Sequence, residues 1–135
     1  MIMEYKLTYN QFMQGLEQEK LLGLVCNGCG AATCPPLGVC RACGGQELRV
    51  AEMNGVGTLR TFTVVRVAPE GRTPPYVVAM VELDEGPWVM GNLEGLPLDQ
   101  SNMDIIGKKV KVGSRRVQTK LPVQENQRSL TFHLI

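Results

Sequence analysis

The chain has 135 residues, 14 basic against 13 acidic side chains, and an apolar fraction of 44%. That length suits one domain, or a small domain with an appendage, and is enough to bury one core. No apolar run approaches the length of a membrane span, and Met1-Ile2-Met3-Glu4-Tyr5-Lys6 lacks the basic and apolar regions of a signal peptide.

Thr8-Tyr9-Asn10-Gln11 reads as a helix start, with Thr8 as the cap and Gln11 placed to reach back in a capping box. Phe12, Met13 and Leu16 follow as a short apolar stripe, and the pattern predicts a helix ending near Leu22. A helix this short needs tertiary support, either from the body of its own chain or from a partner protein.

Next come two units of one kind, Cys26-Asn27-Gly28-Cys29-Gly30 and Cys40-Arg41-Ala42-Cys43-Gly44. Each can turn both sulfurs toward one centre, and the glycine after the second cysteine permits the positive φ such a turn often needs. Cys26, Cys29, Cys40 and Cys43 have the spacing of a closed tetrahedral zinc site, which leaves no position open for water or substrate and so argues for a structural metal. Two disulfides are the structural alternative, and iron fits the same four sulfurs. The segment is poor in apolar residues, so metal binding is expected to be part of its folding free energy. Four of five cysteines in metal spacing suit a reducing cytoplasm. Cys34, the fifth, reads as a small buried hydrophobe, with a reactive thiol as the other reading. Cys34-Pro35-Pro36-Leu37 joins the two units as a stiff extended link, either a recognition edge or a spacer.

After Val50 the pattern turns to strands. Thr58–Val67 alternates, with Leu59, Thr61, Thr63 and Val65 on one side and Arg60, Phe62, Val64 and Arg66 on the other. Residues 68–75 read as a loop, Tyr76–Leu83 as a central strand, Asp84-Glu85-Gly86 as a hairpin turn and Pro87–Leu93 as its return. Lys108–Val117 and Ser129–Ile135 complete five strand regions, separated by loops at 94–102 and 121–127. Leu130, Phe132 and Leu134 are expected inward, Thr131 and His133 outward. The count and the size predict a five-stranded Greek-key barrel of the OB type, with an SH3-like barrel as the alternative. The expected organisation is thus an N-terminal helix at 1–22, a zinc ribbon at 23–48 and an OB-fold domain at 49–135.

The net charge of +1 hides an asymmetry: Lys108, Lys109, Lys111, Arg115, Arg116 and Lys120 lie between Ile105 and Gln124, a stretch without an acid. Such a stripe can attract phosphates, an acidic partner or nucleic acid, or be a solvated strand face. His133 is the single histidine, and neither a nucleophile elbow nor a phosphate-binding or dinucleotide motif is present, so no catalytic residue is expected.

In this order, Cys26-x-x-Cys29-Gly30, Pro35-Pro36, Cys40-x-x-Cys43-Gly44, Gly55-x-Gly57, Pro75-Tyr76-x-x-Ala79-x-Val81-x-Leu83 and Ile106-Gly107-Lys108-Lys109-Val110-x-Val112 resemble a family that joins an N-terminal helix, a rubredoxin-like zinc ribbon and a C-terminal OB-fold. Its members are accessory subunits or domains of enzymes acting on acyl-CoA thioesters, notably thiolase-fold enzymes. Cys34 and Leu37 stand where members often carry an aromatic residue and an arginine. The resemblance implies a noncatalytic chain with a thiolase-fold catalytic partner, completing the passage for the CoA thioester, as in the small subunit of a two-subunit thiolase. A CoA ligand would then find cations in Lys109, Lys111, Arg115 and Arg116 and an apolar edge at Pro35 and Pro36. A rival of another class is a single-strand nucleic-acid binder, since OB-folds also serve that end through basic grooves with aromatic platforms. A third reading is a pure scaffold that holds a partner and takes no ligand.

Overall fold

The computed structural model describes residues 6–67, 74–97, 102–116 and 128–135. The helix starts as its sequence dictates. In α1 (Tyr9–Glu17), the Thr8 side chain accepts from the Gln11 N–H at 3.2 Å while the Thr8 N–H donates to Gln11 Oε1 at 2.9 Å. Phe12, Met13 and Leu16 are all buried against the rest of the chain, which settles their role as packing within the molecule. The helix ends five residues earlier than the pattern predicts, because Leu21 and Leu22 belong to a strand.

That strand, β1 (Leu21–Cys26), pairs antiparallel with the short β2 (Ala32–Thr33) on one side and with β3 (Leu48–Met53) on the other, from Leu21↔Met53 to Cys26↔Leu48. The three strands form a small sheet of order β2-β1-β3. The link from Cys34 to Leu37 is bent at Cys34 and Pro35 rather than extended, and the Cys34–Pro35 peptide is cis.

The remaining strands among the described residues are β4 (Val56–Val65), β5 (Tyr76–Leu83), β6 (Trp88–Leu93), β7 (Lys109–Arg116) and β8 (Arg128–Leu134), with a 3₁₀ turn at Met103–Ile105 before β7. They close into a barrel of order β4-β5-β6-β8-β7, in which β6 and β8 are parallel and the other pairs antiparallel. This Greek-key closure is the OB-fold, so the SH3-like alternative falls away. The interior is filled by Leu59, Val81, Leu83, Val89, Val110 and Phe132, each no more than 1% exposed. Each such side chain contributes about 1.5–3 kcal/mol by leaving water. Where β6 meets β8 the backbones come close: a Cβ at Gly91 would lie 2.6 Å from the Leu130 carbonyl oxygen, so only glycine fits there.

β4 corrects the expected alternation. A bulge between Leu59 and Thr61 inserts one residue, so Phe62 and Val64 join Leu59 in packing on the core, and Thr61 and Thr63 are exposed. On β8, Leu130 and Phe132 are buried as expected, but Thr131 is also only 3% exposed. Residues 68–73 of the loop expected at 68–75, residues 98–101 of that expected at 94–102, the connection at 121–127, and Val117 and Lys120 lie outside the described residues.

α1 joins the two sheets. The Ser114 hydroxyl of β7 donates to the Leu16 carbonyl at 3.1 Å, and the Arg128 N–H of β8 donates to Met13 Sδ at 3.2 Å. At the opposite corner the Asn54 N–H donates to Glu85 Oε2 at 2.7 Å and Asn54 Nδ2 to Asp84 Oδ2 at 3.2 Å, pinning the β5–β6 hairpin to the link between β3 and β4.

Candidate metal centre and flanking surfaces

The two Cys-x-x-Cys-Gly units fold alike. The Gly30 N–H donates to the Cys26 carbonyl and the Gly44 N–H to the Cys40 carbonyl, each at 2.9 Å, and both glycines have positive φ, 81° and 74°. This is the turn expected from the sequence, made twice. β1 ends at Cys26, and the ends of the two units are held by Asn27 N–H to Glu47 O at 2.7 Å and Cys40 N–H to Gly45 O at 2.8 Å.

The four sulfurs of Cys26, Cys29, Cys40 and Cys43 lie within 4.8 Å of one another. Cys26 Sγ is 3.7 Å from Cys43 Sγ and Cys29 Sγ is 3.5 Å from Cys40 Sγ. A disulfide holds its sulfurs about 2.05 Å apart, so two disulfides are excluded as a description of this cluster. A tetrahedron of thiolates with Zn–S bonds of about 2.3 Å has S···S edges of roughly 3.8 Å, which the observed spacings match. The backbone supports thiolates here. N–H groups of Cys29, Ala42 and Gly45 point at Cys26, Cys40 and Cys43 Sγ at 3.5, 3.4 and 3.4 Å. Those of Cys43 and Ala42 bring the Cys40 thiol down to about 6, and those of Cys29 and Gly28 lower Cys26. All four sulfurs would be spent on one metal ion, so its chemistry there would be that of a clamp.

Cys34 belongs to none of this. Its side chain is buried, its Sγ donates to the Leu22 carbonyl at 3.6 Å, and burial, aided by the Glu85 carboxylate, pushes its thiol up to about 12. It is the buried hydrophobe of the sequence reading, not a reactive thiol. His133 stands elsewhere, with Nδ1 beside Gly95 and across the ladder from Lys111.

The basic stripe divides when folded. Lys109, Lys111 and Arg115 share the outer face of β7, and Arg116 alternates to the other side. Lys109 Nζ donates to Asp84 Oδ1 at 2.9 Å, and Arg115 Nη1 stands 3.1 Å from Glu94 Oε1. Two of the four cations are thus matched by acids distant in the chain, which no count of local charge could reveal. Pro35 and Pro36 line an apolar cavity between α1 and the barrel, whereas Lys111 lines a separate, more polar one. The six residues do not meet in a single cavity among the described residues.

The outer face of β5 and β6, where OB-folds commonly take oligonucleotides, carries Val78, Met80, Trp88 and Met90, and its arginine neighbour Arg60 is paired with Glu82 at 2.9 Å. That face is apolar rather than basic.

Comparison with known proteins places these parts together. Residues 13–49 match the family model described as the ChsH2 rubredoxin-like zinc ribbon domain, and residues 50–115 the ChsH2 C-terminal OB-fold domain. The chain is 30% identical over 117 residues to a DUF35 domain-containing scaffold protein of Methanocaldococcus jannaschii, covering 84% of this chain and 80% of that one. It is 31% identical over 77 residues to the benzoylsuccinyl-CoA thiolase subunit BbsA of Thauera aromatica, covering 57% and 54%. Among solved structures, a chain of an Ltp2-ChsH2(DUF35) aldolase superposes with a TM-score of 0.70 at 27% identity, over 91% of each chain. No helix among the described residues is long and apolar enough to cross a membrane.

Proposed function

This chain belongs to the family that joins a ChsH2-type rubredoxin-like zinc ribbon to a ChsH2-type C-terminal OB-fold domain, and from that membership we propose that it is a noncatalytic accessory subunit of a thiolase-type acyl-CoA acyltransferase complex. The observation that carries this reading is the likeness over 91% of both chains to a chain of an Ltp2-ChsH2(DUF35) aldolase, together with a thiolase subunit among the relatives. In this reading Cys26, Cys29, Cys40 and Cys43 hold one structural zinc ion. The metal would set the shape of the ribbon, which touches the barrel where Arg41, between Cys40 and Cys43, lies against Gly86 of the β5–β6 hairpin. The partner chain supplies nucleophile, acid and base.

The chain's contribution to the CoA thioester is to help bind it and to complete the partner's substrate passage. Pro35 and Pro36 offer apolar contact, while Lys111 and Arg116, with Lys109 and Arg115 once released from Asp84 and Glu94, offer cations for phosphate. The apolar β5–β6 face supports protein contact over nucleic acid. Affinity capture from the native host tests the reading. The expected result is a thiolase-fold chain recovered with this one, with CoA bound by the pair. Recovery of nucleic acid in place of such a chain, with salt-sensitive single-strand binding, would overturn it.

A further inference from the structure

Between α1 and the outer face of the barrel lies a cavity of about 690 Å³, open to solvent on one side. Phe12 and Met13 of α1 form one wall, Val78, Met90 and Leu130 the facing wall, and Pro36 closes an end. Phe12, Met13 and Leu130 are at most 7% exposed, so the lining is fixed by the packing that holds the helix to the barrel. The volume falls within the range of about 300–1,000 Å³ common for small-molecule sites.

Among the described residues, one charged residue, Arg128, borders this apolar space. Arg128 Nε donates to Ser114 Oγ at 2.9 Å and Nη2 to the Ser114 carbonyl at 3.4 Å, and Ser114 is itself tied to Leu16 of the helix. The guanidinium is therefore held in place by neutral oxygens. Three of its five N–H groups are uncommitted among the described residues, and no carboxylate there forms an ion pair with it. Beyond it opens a second cavity of about 440 Å³, where Lys20, Lys111 and His133 stand with Glu17 and Glu19. Arg128 lines both spaces.

We propose that the larger cavity binds a small amphiphilic carboxylate, its aliphatic or aromatic body seated between Phe12, Met13, Val78 and Leu130 and its carboxylate taken by Arg128. The division of labour is physical. Burial of the apolar body supplies the driving force, and the planar fork of an arginine pre-held by Ser114 selects a carboxylate over a neutral head group. The concave shape, with Arg128 as the one charged residue among the described lining, favours such a ligand over a protein side chain or a nucleic-acid strand.

The test uses the full, zinc-loaded chain, titrated with decanoate, 1-decanol and butyrate below their aggregation limits and followed by calorimetry and by NMR of the methionine and leucine methyl groups. Decanoate is expected to bind saturably and to shift the Met13, Met90 and Leu130 methyls, with 1-decanol and butyrate each at least tenfold weaker. Arg128→Met is expected to weaken decanoate at least tenfold and leave 1-decanol unchanged. Val78→Trp, which fills the cavity from the barrel side, is expected to weaken both. Should Arg128→Met fail to fold, Arg128→Lys supplies the same contrast, keeping the charge and losing the fork. Absence of saturable decanoate binding, equal affinity for decanoate and decanol, or indifference to either substitution would each overturn the proposal. These outcomes are independent of partner capture, so this proposal and the accessory-subunit reading can fail separately.

Discussion

The ribbon and the barrel solve the same problem of stability with different materials. The barrel is closed, so its edges are paired, and its core of Leu59, Val81, Val110 and Phe132 is fully removed from water. The ribbon is a three-stranded sheet that buries Leu21, Leu24, Leu48 and Met53 and carries its sulfur cluster at one end, in the two Cys-x-x-Cys turns, with Cys29 and Cys43 exposed. One half is held by apolar area; the other is expected to be held by a metal that reaches all four thiolates. The helix α1 packs on both, so the difference between them can be read as a difference in what each loses when its own support is removed.

Metal removal is the largest expected effect. Structural zinc contributes about 10–16 kcal/mol to small zinc-binding peptides, so a strong chelator, or Cys40→Ser, should abolish the ribbon as a folded unit. Amide NMR is expected to show residues 21–53 losing dispersion while β4–β8 keep theirs. Collapse of both sets together would mean that the barrel depends on the ribbon, and the contrast would be lost. The converse experiment is Phe132→Ala, with an expected cost of about 3–5 kcal/mol from the cavity it leaves, read in the urea midpoint. Bound zinc should persist in the folded fraction.

Gly91→Ala tests the closure of the barrel, since its Cβ would meet Leu130 carbonyl oxygen, carbon and Cβ at 2.6, 2.9 and 2.9 Å. A loss of about 1–3 kcal/mol is expected by chemical denaturation, with no change in zinc content. Thr8→Ala removes the cap of α1 and should cost about 1 kcal/mol, read the same way.

The smallest effect concerns the hairpin that ties barrel to ribbon. The Lys109 ammonium, with help from Asn54, holds the Asp84 carboxyl below its ordinary value. A carboxyl lowered on folding stabilises the protein above its unfolded value of about 3.9, and that contribution drains away as the pH falls toward the folded-state value. Asp84→Asn is therefore expected to lower stability slightly at neutral pH, by no more than the small amount typical of an exposed pair, and to flatten the acid limb below about pH 4, so that variant and parent converge at low pH.

What could be read from the chain before folding follows the range of the interaction. The thiolate turns depend on three or four consecutive residues, and the Thr8–Gln11 box on four, so both are visible in sequence and both appear in place. β5, a nearly continuous apolar run closed by the Asp84-Glu85-Gly86 turn, and β8, with Leu130, Phe132 and Leu134 alternating with polar residues, are visible from local pattern too, although Thr131 is buried against that pattern. The bulge after Leu59 is not, because it arises from how β4 registers against β5, and it moves Phe62 and Val64 to the core side. Leu21 and Leu22 continue a helical stripe by local pattern, yet β3 lies about thirty residues away and claims them for a sheet. The pairing of Lys109 with Asp84 and of Arg115 with Glu94 is likewise a product of the barrel's closure, as is Arg128's place beside the apolar cavity. A basic run in sequence is thus only partly a free basic surface once folded.

The central claim is that the chain serves a catalytic partner without supplying catalytic groups, and reconstituted activity tests it most directly. The thiolase-fold chain from the host would be assayed for acyl-CoA thiolysis alone, with this chain, and with this chain stripped of zinc. The account predicts activity that requires the zinc-loaded chain, is not restored by the stripped one, and is absent from this chain by itself. Full activity of the partner alone, unchanged by addition of this chain, would contradict it.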